Sequence, residues 1–171
     1  MNTDRDVALA AFDQGRAEFA AVLEQTPSAA LRFRPAGEDY ALGGLAIHVA
    51  QVLEKYARVL EAMRAADFGP VPEPPLPAAS EADTALVRDG FDDDMRAAVL
   101  ERVRRAHARV VAAIRAVPDD AFHQAMPVTY AGAAEPFATS PADVLGWVHA
   151  HYAEHVRQVT DLSSAWTTTA R

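Results

Sequence analysis

Apolar positions recur every three to four residues in four long stretches of the chain, and no stretch alternates apolar and polar residues long enough to suggest a run of strands. The first predicted helix runs from Asp4 to Gln25. Its core face is Val7, Ala10, Ala11, Phe19, Val22 and Leu23, weak in the middle at Gln14 and Ala17. Thr3 caps it, with Asp6 three residues on as a variant capping box, and Pro27 stops it. A connector, 26–39, leads to a second helix from Tyr40 to Ala66, with Leu45, His48, Val52, Tyr56, Val59 and Met63 on one face.

The segment from Phe68 to Ala79 holds prolines at 70, 72, 74, 75 and 77, so it predicts an extended crossover rather than helix. Ser80 and Asp83 open a short helix over Glu81 to Phe91. Asp92, Asp93 and Asp94 then begin a third long helix reaching Val117, where acidic groups meet the positive end of the helix dipole. They lack the spacing of a calcium loop. The stripe of this helix is Met95, Val99, Val103, Ala106, Val110, Ile114 and Val117. The long connection from Pro118 to Thr139 is anchored by Val128-Thr129-Tyr130 and Glu135-Pro136-Phe137, and loops of this length in compact domains often carry function. Ser140 caps the fourth helix, Pro141 takes its first position and Asp143 completes a capping box. That helix is expected to end near Ser164, with Thr167 to Arg171 a frayed tail.

Four such helices make an all-α four-helix bundle, expected as a single domain over residues 1–171. A formal charge of −8 and the lack of a basic stripe argue against a nucleic-acid partner. The chain has no cysteine, so any metal must use nitrogen and oxygen ligands, and any thiol chemistry must use a thiol brought by a substrate. With no apolar run of membrane-spanning length and no signal-peptide pattern, no membrane partner and a cytoplasmic location are expected.

The candidate chemistry lies in the histidines. His151 and His155, four apart on a helix, point the same way with Cβ atoms about 5–6 Å apart. They fall in a core-facing series of Val144, Val148, His151, His155, Val159 and Leu162, and His48 sits in a similar series on the second helix. Buried imidazoles need partners. Three converging from two helices suggest a divalent cation, zinc or nickel first, iron or manganese after them. Three protein ligands leave coordination positions open, as in catalytic sites. Glu154 precedes His155 and no glutamate follows His151, so the protease pattern HExxH is absent. His149 lies about 160° around the helix from His151 and faces away, His123 is an exposed loop residue, and His107 lies at the edge of its stripe. Trp147, one turn before His151, either walls the pocket or belongs to the core.

Gly44-Leu45-Ala46-Ile47-His48-Val49 and His151-Tyr152-Ala153-Glu154-His155-Val156-Arg157-Gln158-Val159 resemble, in order and separation, the motifs of the DinB superfamily. These are metal-binding four-helix bundles that include bacillithiol- and mycothiol-dependent transferases. The resemblance implies His48, His151 and His155 as the metal triad, an up-down-down-up bundle with long crossovers, and a homodimer. Tyr40-Ala41-Leu42-Gly43 departs from the family, which often has tryptophan or serine there. A cation lowers the pKa of a thiol or water bound to it. The resemblance favours S-transfer from a low-molecular-weight thiol to an electrophile. The alternatives are a metal-dependent hydrolase, a non-catalytic metal- or small-molecule-binding stress protein, and a plain helical domain with hydrogen-bonded histidines.

Overall fold

The computed structural model describes residues 3–74 and 79–169. Five α-helices run α1 (Asp4–Gln25), α2 (Gly44–Ala65), α3 (Glu81–Asp89), α4 (Arg96–Arg115) and α5 (Pro141–Thr169). The four long ones form the bundle. Three helix starts are fixed by side chains acting on their own backbone. Thr3 and Asp6 form a reciprocal capping box on α1, Ser80 accepts from the Asp83 amide on α3, and Ser140 and Asp143 form a second box on α5.

Cross-helix pairs give the directions. Glu54 pairs with Arg102 and Glu61 with Arg109, so α2 and α4 run parallel. Tyr152 packs beside Gly15 of α1, and Val159 and Ser163 lie farther along near Gln25, so α1 and α5 are parallel too. His48 meets His155 while Tyr56 meets Trp147, which makes α2 and α5 antiparallel. Arg5 reaches the carbonyl of Val117, and Arg96 reaches that of Leu23, so α1 and α4 are antiparallel. The bundle is therefore up-down-down-up. A parallel α2–α4 pair needs a chain crossing the whole bundle length, which the segment between them supplies. Residues 75–78 of the expected proline crossover lie outside the described residues. Ahead of them Val71 is buried and bonds to both sides of Val128 through Pro127 and Thr129.

Several expectations need correction. Val7 is 59% exposed, and the buried face of α1 is Leu9, Phe12, Gly15, Phe19 and Leu23. The weak middle of that stripe is a close approach: a Cβ on Gly15 would lie 3.3 Å from the Cβ of Tyr152. On α2 the expected Leu45, Val59 and Met63 are buried, joined by Ile47, Val49, Leu53 and Leu60 with small residues between, while His48, Val52 and Tyr56 are half-buried. On α5 the expected Val144, Val148, His155, Val159 and Leu162 are buried, but His151 is half-buried and its neighbour Tyr152, outside the expected series, is fully buried. Helix α2 begins at Gly44 rather than Tyr40, and the amides of Ala41 and Gly43 ahead of it donate to the carbonyls of Val87 and Leu31. A single helical turn, Asp93–Met95, precedes α4; Asp92, the N-cap residue of that turn, and Asp93 are exposed and pair with Arg32 and Arg96.

The connection after α4 also holds one short hairpin that the sequence pattern did not reveal. The strands β1 (Met126–Val128) and β2 (Phe137–Thr139) pair antiparallel, Met126 opposite Thr139 and Val128 opposite Phe137. Three residues per strand, one of them Pro127, are too few to show alternation. Helix α5 does not fray at Thr167 but continues to Thr169, the hydroxyls of Thr160, Ser164, Thr167, Thr168 and Thr169 each donating to the carbonyl four residues back. Among the described residues no helix is long and apolar enough to cross a membrane.

Candidate metal centre

The α2 side of the centre is set by the start of that helix. Helix α3 lies so close over it that a Cβ on Gly44 would fall inside contact distance of the Val87 carbonyl oxygen. This packing fixes the first turn, and His48 stands one turn further in. From the opposite side α5 brings His151 and His155, on adjacent turns. The ring centroids of His48 lie 5.1 Å from those of both His151 and His155, and the latter two are 4.2 Å apart. One ring nitrogen from each of the three lies within 4.8 Å of the other two. Opposing helices thus bring together the three residues singled out in the sequence.

Polar satisfaction is incomplete there. His155 is 4% exposed and donates from Nδ1 to Gln158 Oε1 at 2.8 Å. That bond leaves Nε2 as a bare lone pair. The Nε2 atoms of both His151 and His155 are buried and have no hydrogen-bond partner. Buried polar atoms without partners are costly and uncommon. Two of them beside a third imidazole fit a cation with nitrogen-ligand preference, so the residues present suit a divalent metal.

The electrostatics agree. Burial, then the neighbouring His155, push His48 down to about 4, against the opposing charge of Glu154. Burial, His155 and His48 push His151 to about 3. His155 is lowered chiefly by burial, offset by its bond to Gln158 and by Glu154. All three are neutral at pH 7, the form that binds metal. Tyr40 packs its ring on His48 with centroids 4.7 Å apart, occupying the departure from the family pattern.

The other histidines separate as follows. His149 turns toward α1, near Gly15, and takes no part in the cluster. His123 is exposed in its loop. His107 is not an edge residue: it is 4% exposed, stacked on Phe12 at 4.1 Å, with Nε2 2.7 Å from Asp13 Oδ1 and Nδ1 3.4 Å from the Tyr152 hydroxyl. A proton on Nε2 lets it donate to Asp13 and accept from Tyr152, so its polar atoms are satisfied within the α1–α4–α5 interface. Trp147 is 37% exposed and not a core residue. Gln158 is the hydrogen-bond partner of His155. Its place three residues after a candidate ligand was the available signal.

A family model described as the DinB superfamily matches residues 11–159. The solved structure of a mycothiol-dependent maleylpyruvate isomerase superposes with a TM-score of 0.67 at 14% identity, covering 92% of this chain and 61% of that one. The chain therefore spans about three-fifths of that enzyme's length. A conserved protein from Enterococcus faecalis superposes with a TM-score of 0.65 at 11% identity, covering 95% of this chain and 96% of that one. At these identities the two likenesses show the shared fold. No curated protein matches the chain. The match over nearly its whole length shows that the chain belongs to the DinB superfamily.

Proposed function

We propose that His48, His151 and His155 hold a divalent metal ion, zinc or nickel, and that the protein uses it to transfer a low-molecular-weight thiol to an electrophile. The observation that carries this reading is the pair of buried, partnerless Nε2 atoms of His151 and His155, whose rings cluster with a third neutral imidazole. The similarity in fold to a mycothiol-dependent isomerase supports a thiol as the cosubstrate. When bound, a divalent cation lowers the pKa of a thiol or water that shares its coordination sphere.

The protein's own part is to hold the site ready. The three rings stay neutral and aimed by packing. Gln158 keeps the proton of His155 on Nδ1, so that Nε2 faces inward. Tyr40 limits the rotation of His48. With no cysteine in the chain, the sulfur must come from the cosubstrate. The same reading takes residues 1–171 as one domain, acting as a homodimer in the cytoplasm, where small thiols stay reduced.

The test is turnover of monochlorobimane by zinc- and nickel-loaded protein with bacillithiol, mycothiol or glutathione. Thiol-dependent acceleration that disappears in His151→Ala is expected. No acceleration with any of the three thiols, or acceleration that survives His151→Ala, contradicts S-transfer at this centre.

A further inference from the structure

Among the described residues the large exposed hydrophobic side chains are Val7, Met95, Phe137 and Trp147. Val7 and Met95 stand alone at helix ends. Phe137 and Trp147, 58% and 37% exposed, lie together with ring centroids 6.2 Å apart. Tyr56 and Tyr130, both half-buried, complete the group at 5.9 and 6.4 Å from the indole of Trp147. These spacings are those of favourable aromatic pairs. Three rings, from α2 and the 116–140 connection, thus meet around one tryptophan of α5.

Their place matters more than their number. Trp147 is one turn before His151 on the same side of α5, about 6 Å along the axis, and Tyr56 is two turns after His48 on the antiparallel α2. The aromatic layer is therefore the next layer along the α2–α5 seam from the three histidines. The fold does not need Phe137 or the Trp147 edge in water, because the hairpin is already pinned through Val71 and the buried Val128. Tyr130 donates to Thr139 at 3.3 Å, which fixes one wall. Lys55, the chain's sole lysine, stands 5.5 Å from the centroid of the Tyr56 ring at the margin.

We infer that Trp147, Phe137, Tyr56 and Tyr130 form the acceptor subsite of the centre and take a planar, conjugated electrophile stacked on the indole. This rests on the proposed metal centre for its chemistry, but not for its binding. Apolar walls with a few polar tips beside a reactive centre are the usual make-up of a small-molecule site.

The neutral, planar, solvatochromic naphthalene prodan is a suitable probe. Titrated into metal-free protein, it should bind saturably with blue-shifted emission. Trp147→Ala and Phe137→Ala should weaken binding at least tenfold, Trp147→Phe should restore most of it, and His48→Ala should leave it within twofold. Loading wild-type protein with cobalt should quench the bound probe, and His48→Ala protein should show no such quenching. If no cobalt binds but prodan still depends on Trp147, the metal reading fails and the subsite stands. Binding within twofold of wild type in both Trp147→Ala and Phe137→Ala overturns the subsite. So does a fall from dimer to monomer in Trp147→Ala by sedimentation, which would assign the patch to a second copy of the chain.

Discussion

His155 donates from Nδ1 to Gln158 Oε1 at 2.8 Å, and its Nε2 is buried with no partner, in a ring clustered with those of His48 and His151. The side-chain amide thereby selects the tautomer that presents a lone pair to the centre. Replacing such a partner of a metal-binding histidine typically costs ten- to a hundredfold in metal affinity. Gln158→Leu should weaken zinc binding by about that factor, measured by competition with a chromophoric chelator. Gln158→Glu should keep or raise it. Equal affinities in wild type and Gln158→Leu would remove the orienting role.

Without metal, the arrangement is expensive. The Nε2 of His151 is buried and unpartnered, and leaving a buried polar group unsatisfied costs about 1–3 kcal/mol. His151→Leu should therefore stabilise metal-free protein against urea by a similar amount, roughly 1–3 kcal/mol, while abolishing the stabilisation that zinc gives the wild type. A lower urea midpoint for metal-free His151→Leu would show that the imidazole is satisfied in solution.

The same burial sets a pH dependence. His48 and His151 titrate near 4 and 3 in the folded chain and near the ordinary 6.5 when unfolded. Between those values the unfolded chain binds more protons, so stability rises with pH there. Metal-free protein should hold its full contribution from these residues above about pH 6.5 and lose it progressively as the pH falls toward 4 and then 3. Urea midpoints across this range should show the decline, and His48→Ala should flatten it. A wild-type profile that stays flat from pH 7 to 4 would refute the neutral, buried state of the triad.

What could be read from the sequence was what depends on local or periodic signals. Ser140 with Asp143, Thr3 with Asp6 and Ser80 with Asp83 specify helix starts within four residues, and all three caps form. The spacing of His151 and His155 needs a single helix, and the apolar series around His48 on the second helix put that residue forward before the motif order agreed with it. What was missed depends on register between elements. Val7 is as apolar as a core residue, yet it lies outside the face that packs on α5, while the close approach at Gly15 has no apolar signal at all. Tyr56 stands too far along α2 to reach His48, and only the antiparallel run of α5 brings it to Trp147. The hairpin is joined at Val128 by Val71 from a distant crossover, a contact that no window of the sequence contains.

Gly44 ties the fold to the centre. A Cβ there would meet the backbone carbonyl of Val87, which cannot rotate away as a side-chain tip does. Gly44→Ala should force α3 off the start of α2 and cost about 1–3 kcal/mol, as overpacking does. It should also weaken metal binding, because His48 follows one turn later. Unchanged urea midpoints and unchanged zinc affinity would mean that α3 does not brace the first turn of α2.

Metal content bears most directly on the whole account. Protein purified without a polyhistidine tag should carry, or take up by equilibrium dialysis, one divalent ion per chain. His48→Ala, His151→Ala and His155→Ala should each lose it while keeping the helical circular-dichroism spectrum of the wild type. A wild-type protein that binds no zinc or nickel at micromolar free metal, or variants that bind it as tightly as the wild type, would contradict a metal centre built from these three imidazoles.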